Sequence, residues 1–160
     1  MRFVLALMAA WLAFSPLPAV AQTSALSELY VNERYDPRAD PYRDLERALD
    51  VAAAKNRRVL IVVGGNWCGW CEILDRFLVV NADVRAAFEA SFVALKVNRS
   101  RQNLNRTFLS GFPESGSYPD FFILDANGDF LAQQRTDQLH HDSDFDRARM
   151  LAFARRWRAP

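Results

Sequence analysis

The two cysteines of this 160-residue chain both lie in one five-residue stretch, Trp67-Cys68-Gly69-Trp70-Cys71. What flanks that stretch constrains the fold. Before it runs Val59-Leu60-Ile61-Val62-Val63, a β-branched apolar run ending in Gly64-Gly65, which reads as a buried strand. After it runs Glu72-Ile73-Leu74-Asp75-Arg76-Phe77-Leu78, with apolar residues at helical spacing. The cysteines are therefore expected where a strand ends and a helix begins. A thiol there faces unpaired backbone N–H groups and the positive end of the helix dipole, both of which favour its thiolate. One helical turn can bring two thiols at this spacing together, to close as a disulfide or open as a dithiol.

A disulfide over so short a loop removes little chain entropy and is a poor staple. With no further cysteine to build a structural framework, a redox role is favoured over a structural one. Zinc would need four ligands. The other soft candidates, His140 and His141, are remote and adjacent to each other, so no metal is expected. Covalent haem attachment needs histidine directly after the second cysteine, where Glu72 stands. No cofactor is expected.

The N-terminus reads as an export signal. Arg2 precedes an apolar run from Phe3 to Phe14, Pro16 and Pro18 break it, and Ala19-Val20-Ala21 is an A-x-A cleavage site. The run is shorter than the ~18 residues of a membrane span. Residues 1–21 are expected to be removed after Ala21, leaving 22–40 as an N-terminal extension and 41–160 as the folded domain. The 20 basic and 19 acidic residues of the chain become 19 and 19 when Arg2 is lost. With no basic excess, nucleic acid is not an expected partner. The C-terminal Trp157-Arg158-Ala159-Pro160 is no retention tail, so the expected location is a bacterial periplasm, and a monomer is expected.

Further elements follow from pattern. Asp40-Pro41 reads as an N-cap and first helical residue, with Tyr42, Leu45, Leu49 and Ala52 on one face of a helix ending near Asn56. Asp83 is expected to cap a second helix. Phe92 to Val97 reads as a strand, parallel to the first across a right-handed crossover. A helix over Arg101 to Leu109 is predicted, then a Gly/Pro/Ser-rich loop, Gly111 to Ser117. Phe121 to Leu124 and Phe130 to Ala132 flank an Asn-Gly turn and read as a hairpin. The last helix is expected from Asp142 or Ser143 to Trp157.

This order of elements, with Trp67-Cys68-Gly69-Trp70-Cys71 after the first main strand, resembles the thioredoxin superfamily over Pro41 to Trp157. The Gly-Trp dipeptide and the exported context are similar to periplasmic thioredoxin-like thiol:disulfide interchange proteins. The resemblance implies an α/β thioredoxin-like fold, a central mixed β-sheet flanked by helices. It implies a thiol:disulfide oxidoreductase whose partners are protein thiols and disulfides. Cys68, at the helix start, is the expected attacking and more exposed thiol, and Cys71 the resolving one. Pro119 matches the family's cis-proline, with Tyr118 presenting its backbone to an extended substrate. Trp67 stands where the family shapes the substrate surface, with core packing the alternative. Trp70 is expected to face outward. The family's buried aspartate six residues before the first cysteine is absent, since Val62 occupies that position. Asp75, one turn after Cys71, is either its replacement as proton acceptor or a solvated helix residue. The stretch Gly111 to Tyr118 is longer than the family's usual approach to the cis-proline and reads as a partner-selecting loop or a neutral insertion.

Gly69 and Trp70 add no charge to the motif, and Glu72 and Asp75 oppose a second negative charge. A reducing direction is therefore expected, with a membrane electron donor keeping the pair reduced. The alternative of a different class is a thioredoxin-fold binding or chaperone module whose disulfide is inert.

Overall fold

The computed structural model describes residues 25–160. The expected export signal and its expected cleavage site lie outside the described residues. The chain runs α1 (Pro41–Lys55), β1 (Arg58–Gly64), α2 (Gly69–Val80), α3 (Ala82–Ser91), β2 (Phe92–Asn98), the single turn α4 (Arg106–Leu109), β3 (Asp120–Leu124), β4 (Phe130–Arg135), a 3₁₀ turn (Thr136–Leu139), the two-residue strands β5 (His140–His141) and β6 (Asp144–Phe145), and α5 (Arg147–Arg156). Four strands form one mixed sheet in the order β2-β1-β3-β4. β1 is parallel to β2 and antiparallel to β3, and β4 is antiparallel to β3. This is the expected thioredoxin-like arrangement.

β1, β2 and β3 are buried on both faces, which explains their nearly uninterrupted apolar runs. Alternate side chains feed two cores. Leu60, Val62, Phe92, Ala94, Phe121 and Ile123 pack against α2, α3 and α5. Val59, Ile61, Val63, Leu95, Phe122 and Leu124 pack against α1 and α4. The first core is aromatic, with the Phe153 ring within 5.7 Å of those of Phe88, Phe92 and Phe121.

The segment before α1 belongs to this core. Leu26, Leu29, Tyr30 and Tyr35 are buried in it. Tyr30 forms a parallel bridge to Ala94, Val31 N–H donates to the Ala94 carbonyl at 2.9 Å, and Ala94 N–H donates to that of Leu29 at 2.7 Å. The segment thus covers the outer edge of β2, which would otherwise offer free backbone groups.

Several boundaries differ from expectation. The buried face of α1 is Asp44, Ala48 and Ala52, and Tyr42 is exposed. Asp83 does not cap α3. Asn81 stands at that cap, and its side chain instead donates to the Phe77 carbonyl. Asp83 binds Arg147 at 2.6 Å, tying α3 to α5. The helix predicted from Arg101 shrinks to α4. Asparagine side chains hold the preceding loop: Asn98 donates to the Asn103 carbonyl and Asn105 to that of Asn98. Such local bonds compete with helix formation. The last helix begins at Arg147, because Asp142 (φ 53°) turns the chain between β5 and β6, and Asp146 caps α5 by accepting from Arg149 N–H. The Asn-Gly hairpin is as expected, with Gly128 at φ 92° and Asp125 accepting from the N–H groups of Asn127 and Asp129.

Candidate active site

The end of β1 and the start of α2 bring the motif to one end of the sheet. Cys68 is the N-cap of α2, and its Sγ accepts from Cys71 N–H at 3.2 Å. The two cysteines are joined as a disulfide, with Cα atoms 5.3 Å apart. Exposure separates them less than expected, since Cys68 is 7% exposed and Cys71 3%. Position distinguishes them: Cys68 caps the helix, and Cys71 lies in its first turn.

Of the two alternatives for Trp67, the structure favours the surface, while Trp70 is more enclosed than expected. Trp67 is 57% exposed, which removes core packing as its explanation. Its indole N–H donates to the Arg99 carbonyl at 2.8 Å, and its ring meets that of Tyr118 edge-on at 5.3 Å. It walls an open cleft of about 680 Å³ lined also by Asn66, Asn98, Arg99, Arg101 and Leu104. Trp70, expected to face outward, is half-buried. His140 stacks on it at 3.7 Å and Phe145 meets it edge-on. The β5–β6 hairpin therefore roofs the motif. Burial holds the His140 imidazole below its ordinary range, so the ring is neutral at neutral pH.

Val63 pairs with Asp120, so the residues just before β3 lie at the same end of the sheet as the motif. The Tyr118–Pro119 bond there is cis. Thr136 Oγ1 donates to the Pro119 carbonyl. Asp120 is fully buried and accepts from Gln133 at 2.7 Å and from the N–H groups of Gly116 and Phe121. The loop from Gly111 is anchored by Phe112, whose ring stacks on Phe122 at 5.1 Å.

Asp75 is not simply a solvated helix residue. Its Oδ2 accepts from Lys96 Nζ at 2.6 Å. Lys96 has a 2% exposed side chain, also donates to the Glu33 carbonyl, and stands against the rings of Tyr30 and Tyr35. Burial pushes the Asp75 carboxyl above the ordinary carboxylate range. Lys96 opposes that shift, and Glu33 and Glu72 add to it. Asp75 shares a cleft of about 240 Å³ with Tyr35, Cys68, Cys71 and Glu72.

A sequence profile described as thioredoxin-like matches residues 40–126. The chain belongs to the thioredoxin-like family. Among solved structures, this thioredoxin-like chain is similar to a disulphide isomerase from Xylella fastidiosa, at TM-score 0.65 and 20% identity, over 79% of this chain and 97% of that one. It is also similar to the reduced C-terminal domain of DsbD from Neisseria meningitidis, at TM-score 0.56 and 15% identity, over 75% and 98%. No curated protein matches it.

In this thioredoxin-like chain Val62 pairs with Lys96 across the sheet. That lysine, from the neighbouring strand, holds Asp75 of α2. The sequence reading missed Lys96 and weighed His140 only as a metal ligand. A lysine within an apolar strand was a usable signal for the first. Nothing local marked His140, which reaches Trp70 only through the fold.

Proposed function

We propose that this chain is a thiol:disulfide oxidoreductase of exported proteins that works in the reducing direction. The observation that carries the reading is the Cys68–Cys71 disulfide at the start of α2, beside the exposed Trp67. Cys68 Sγ attacks a substrate disulfide and forms a mixed disulfide. Cys71 then attacks Cys68 Sγ, releasing the substrate thiol and leaving the pair oxidised. Asp75 accepts the Cys71 proton. Trp67, Trp70, Tyr118 and Pro119 form the docking surface. The N-terminal apolar stretch supports export to the periplasm, where a membrane electron donor would return the pair to the dithiol. The chain acts as a monomer on protein thiols and disulfides.

The surrounding charges favour a reducing couple. Lys96, the cation beneath the motif, is already engaged by Asp75, His140 is neutral, and Glu72 and Asp75 line the cleft at the sulfurs. The helix N-terminus alone favours the Cys68 thiolate, so its pKa should be nearer ~7 than ~3.5. Equilibration with glutathione is expected to return a potential more negative than about −180 mV, and insulin should be reduced. A value near −120 mV would make the protein an oxidant, and an inert disulfide would leave only a binding module.

Asp75 supplies a second test. A carboxyl must be ionised to accept a proton, and this one is held above the ordinary range. The acid limb of the Cys71 resolution rate should therefore lie above ordinary carboxylate titration. Asp75→Asn should slow resolution roughly 10²-fold and abolish that limb. Stopped-flow profiles that coincide for the two proteins would remove Asp75 from the mechanism.

A further inference from the structure

Tyr35 lies outside the motif, in the segment before α1, yet it reaches the resolving cysteine. Its carbonyl accepts from Asn66 Nδ2 at 3.2 Å, which pins the segment to the loop before the cysteines. Its side chain is buried, and its hydroxyl has no hydrogen-bond partner among the described residues. A buried hydroxyl without a partner is uncommon. The Gly64 backbone locates it. A methyl group on Gly64 would stand 2.5 Å from Cys71 Sγ and 3.0 Å from both Cζ and Oη of Tyr35. Sulfur and hydroxyl therefore flank one glycine, with room between them only for hydrogen. Asp75 Oδ1, on the same cleft, is also buried without a partner.

We propose that Tyr35 is the hydrogen-bond donor to the Cys71 thiolate. This rests on the oxidoreductase reading and adds a residue to it. A disulfide sulfur is a weak acceptor, whereas a thiolate is a charged one. The hydroxyl is thus unsatisfied in the oxidised protein and finds its acceptor when the bond opens. When a substrate thiolate attacks Cys68 Sγ, a new S–S bond forms to the substrate. The Cys68–Cys71 bond breaks, and its electron pair stays on Cys71 Sγ as a thiolate, which Tyr35 O–H then holds. In the reverse step Cys71 loses its proton to Asp75, and the same donor steadies the thiolate until it attacks. Burial and the Asp75 charge push Tyr35 well above the usual phenol range, so it stays a donor throughout.

The charged groups lining this cleft are Glu72 and Asp75 on α2; Lys96 on β2 and Glu33 and Tyr30 in the N-terminal segment act on it through Asp75. Tyr35→Phe alters none of them and removes one oxygen. In a Cys68→Ser background, where Cys71 is a lone thiol, its titration can be followed by ultraviolet thiolate absorbance. Tyr35→Phe is expected to raise the Cys71 pKa by about one unit, a tenfold loss of thiolate at neutral pH. In the chain with both cysteines the resolution rate should fall about threefold, because the more basic thiolate is a better nucleophile. An unchanged or lowered Cys71 pKa overturns the proposal. If the variant does not fold, the unsubstituted protein serves. On reduction the Tyr35 ring ¹³Cζ resonance should shift and then follow the Cys71 titration, and a resonance that ignores it overturns the proposal equally. Neither readout needs a substrate. Failure to reduce insulin with this titration intact would strike the oxidoreductase reading, and leave Tyr35 as a donor to a thiol of other use.

Discussion

Replacing Cys71 by serine is expected to stop turnover and to leave the protein covalently attached to its substrates. Cys68 keeps its place at the N-cap of α2, so it can still attack. The second thiol that would break the mixed disulfide is gone. Insulin reduction should fall by at least roughly 10³-fold, while disulfide-linked adducts accumulate and disappear on reduction. Cys68→Ser should lose activity equally and form no adducts. The two are told apart by non-reducing electrophoresis of each variant expressed in its own cell, with mass spectrometry of the trapped partners. Adducts on Cys71 in the Cys68→Ser protein, and none in the reverse variant, would exchange the assigned roles. The near-equal burial of the two sulfurs makes this a real test, because exposure alone does not choose between them.

Removing residues 22–37 is expected to abolish cooperative folding. These residues contribute Leu26, Leu29, Tyr30 and Tyr35 to the core on the α2, α3 and α5 side of the sheet. Burial of the two leucines alone is worth about 3–6 kcal/mol, and the tyrosine rings add to that. A domain of this size is stable by about 5–15 kcal/mol. The deletion also strips the outer edge of β2 and removes Asn32, which bonds Asp44 at 2.6 Å and both the N–H and C=O of Lys96. Lys96 would lose its roof and Asp75 its fixed partner. Thermal unfolding followed by near-ultraviolet circular dichroism should show no sigmoidal transition, with aggregation through the bared strand edge. A truncated chain melting within a few degrees of the longer one would show that the folded unit starts at α1.

Much of the architecture was legible in the residues because it rests on local rules. Val59 to Val63 and Phe121 to Leu124 are apolar at every position, as strands buried on both faces must be. Asp40-Pro41 and Asn127-Gly128 are punctuation with a backbone cause. The elements misplaced were those whose limits depend on competition. The segment at Arg101 had helical composition, but asparagines gave its backbone other partners. The start of α5 lies at Arg147 and not at Asp142 because a two-residue ladder, His140–His141 against Asp144–Phe145, occupies the intervening residues.

For the site, the sequence by itself determined the chemistry available: two thiols one turn apart at a strand–helix junction, with an acid one turn further on. Only the tertiary structure decided what surrounds them. It set Trp67 on the surface and half-buried Trp70 under His140, because the β5–β6 hairpin folds back over α2. It engaged Asp75 with Lys96, a strand residue whose side chain shares a sheet face with Val62. It carried Tyr35 from an apparently peripheral segment to the same side of Gly64 as Cys71 Sγ. Periodicity reports which face of an element is apolar. Which distant side chain fills the space left over a thiol depends on how the layers stack, and that packing is not carried by any local pattern.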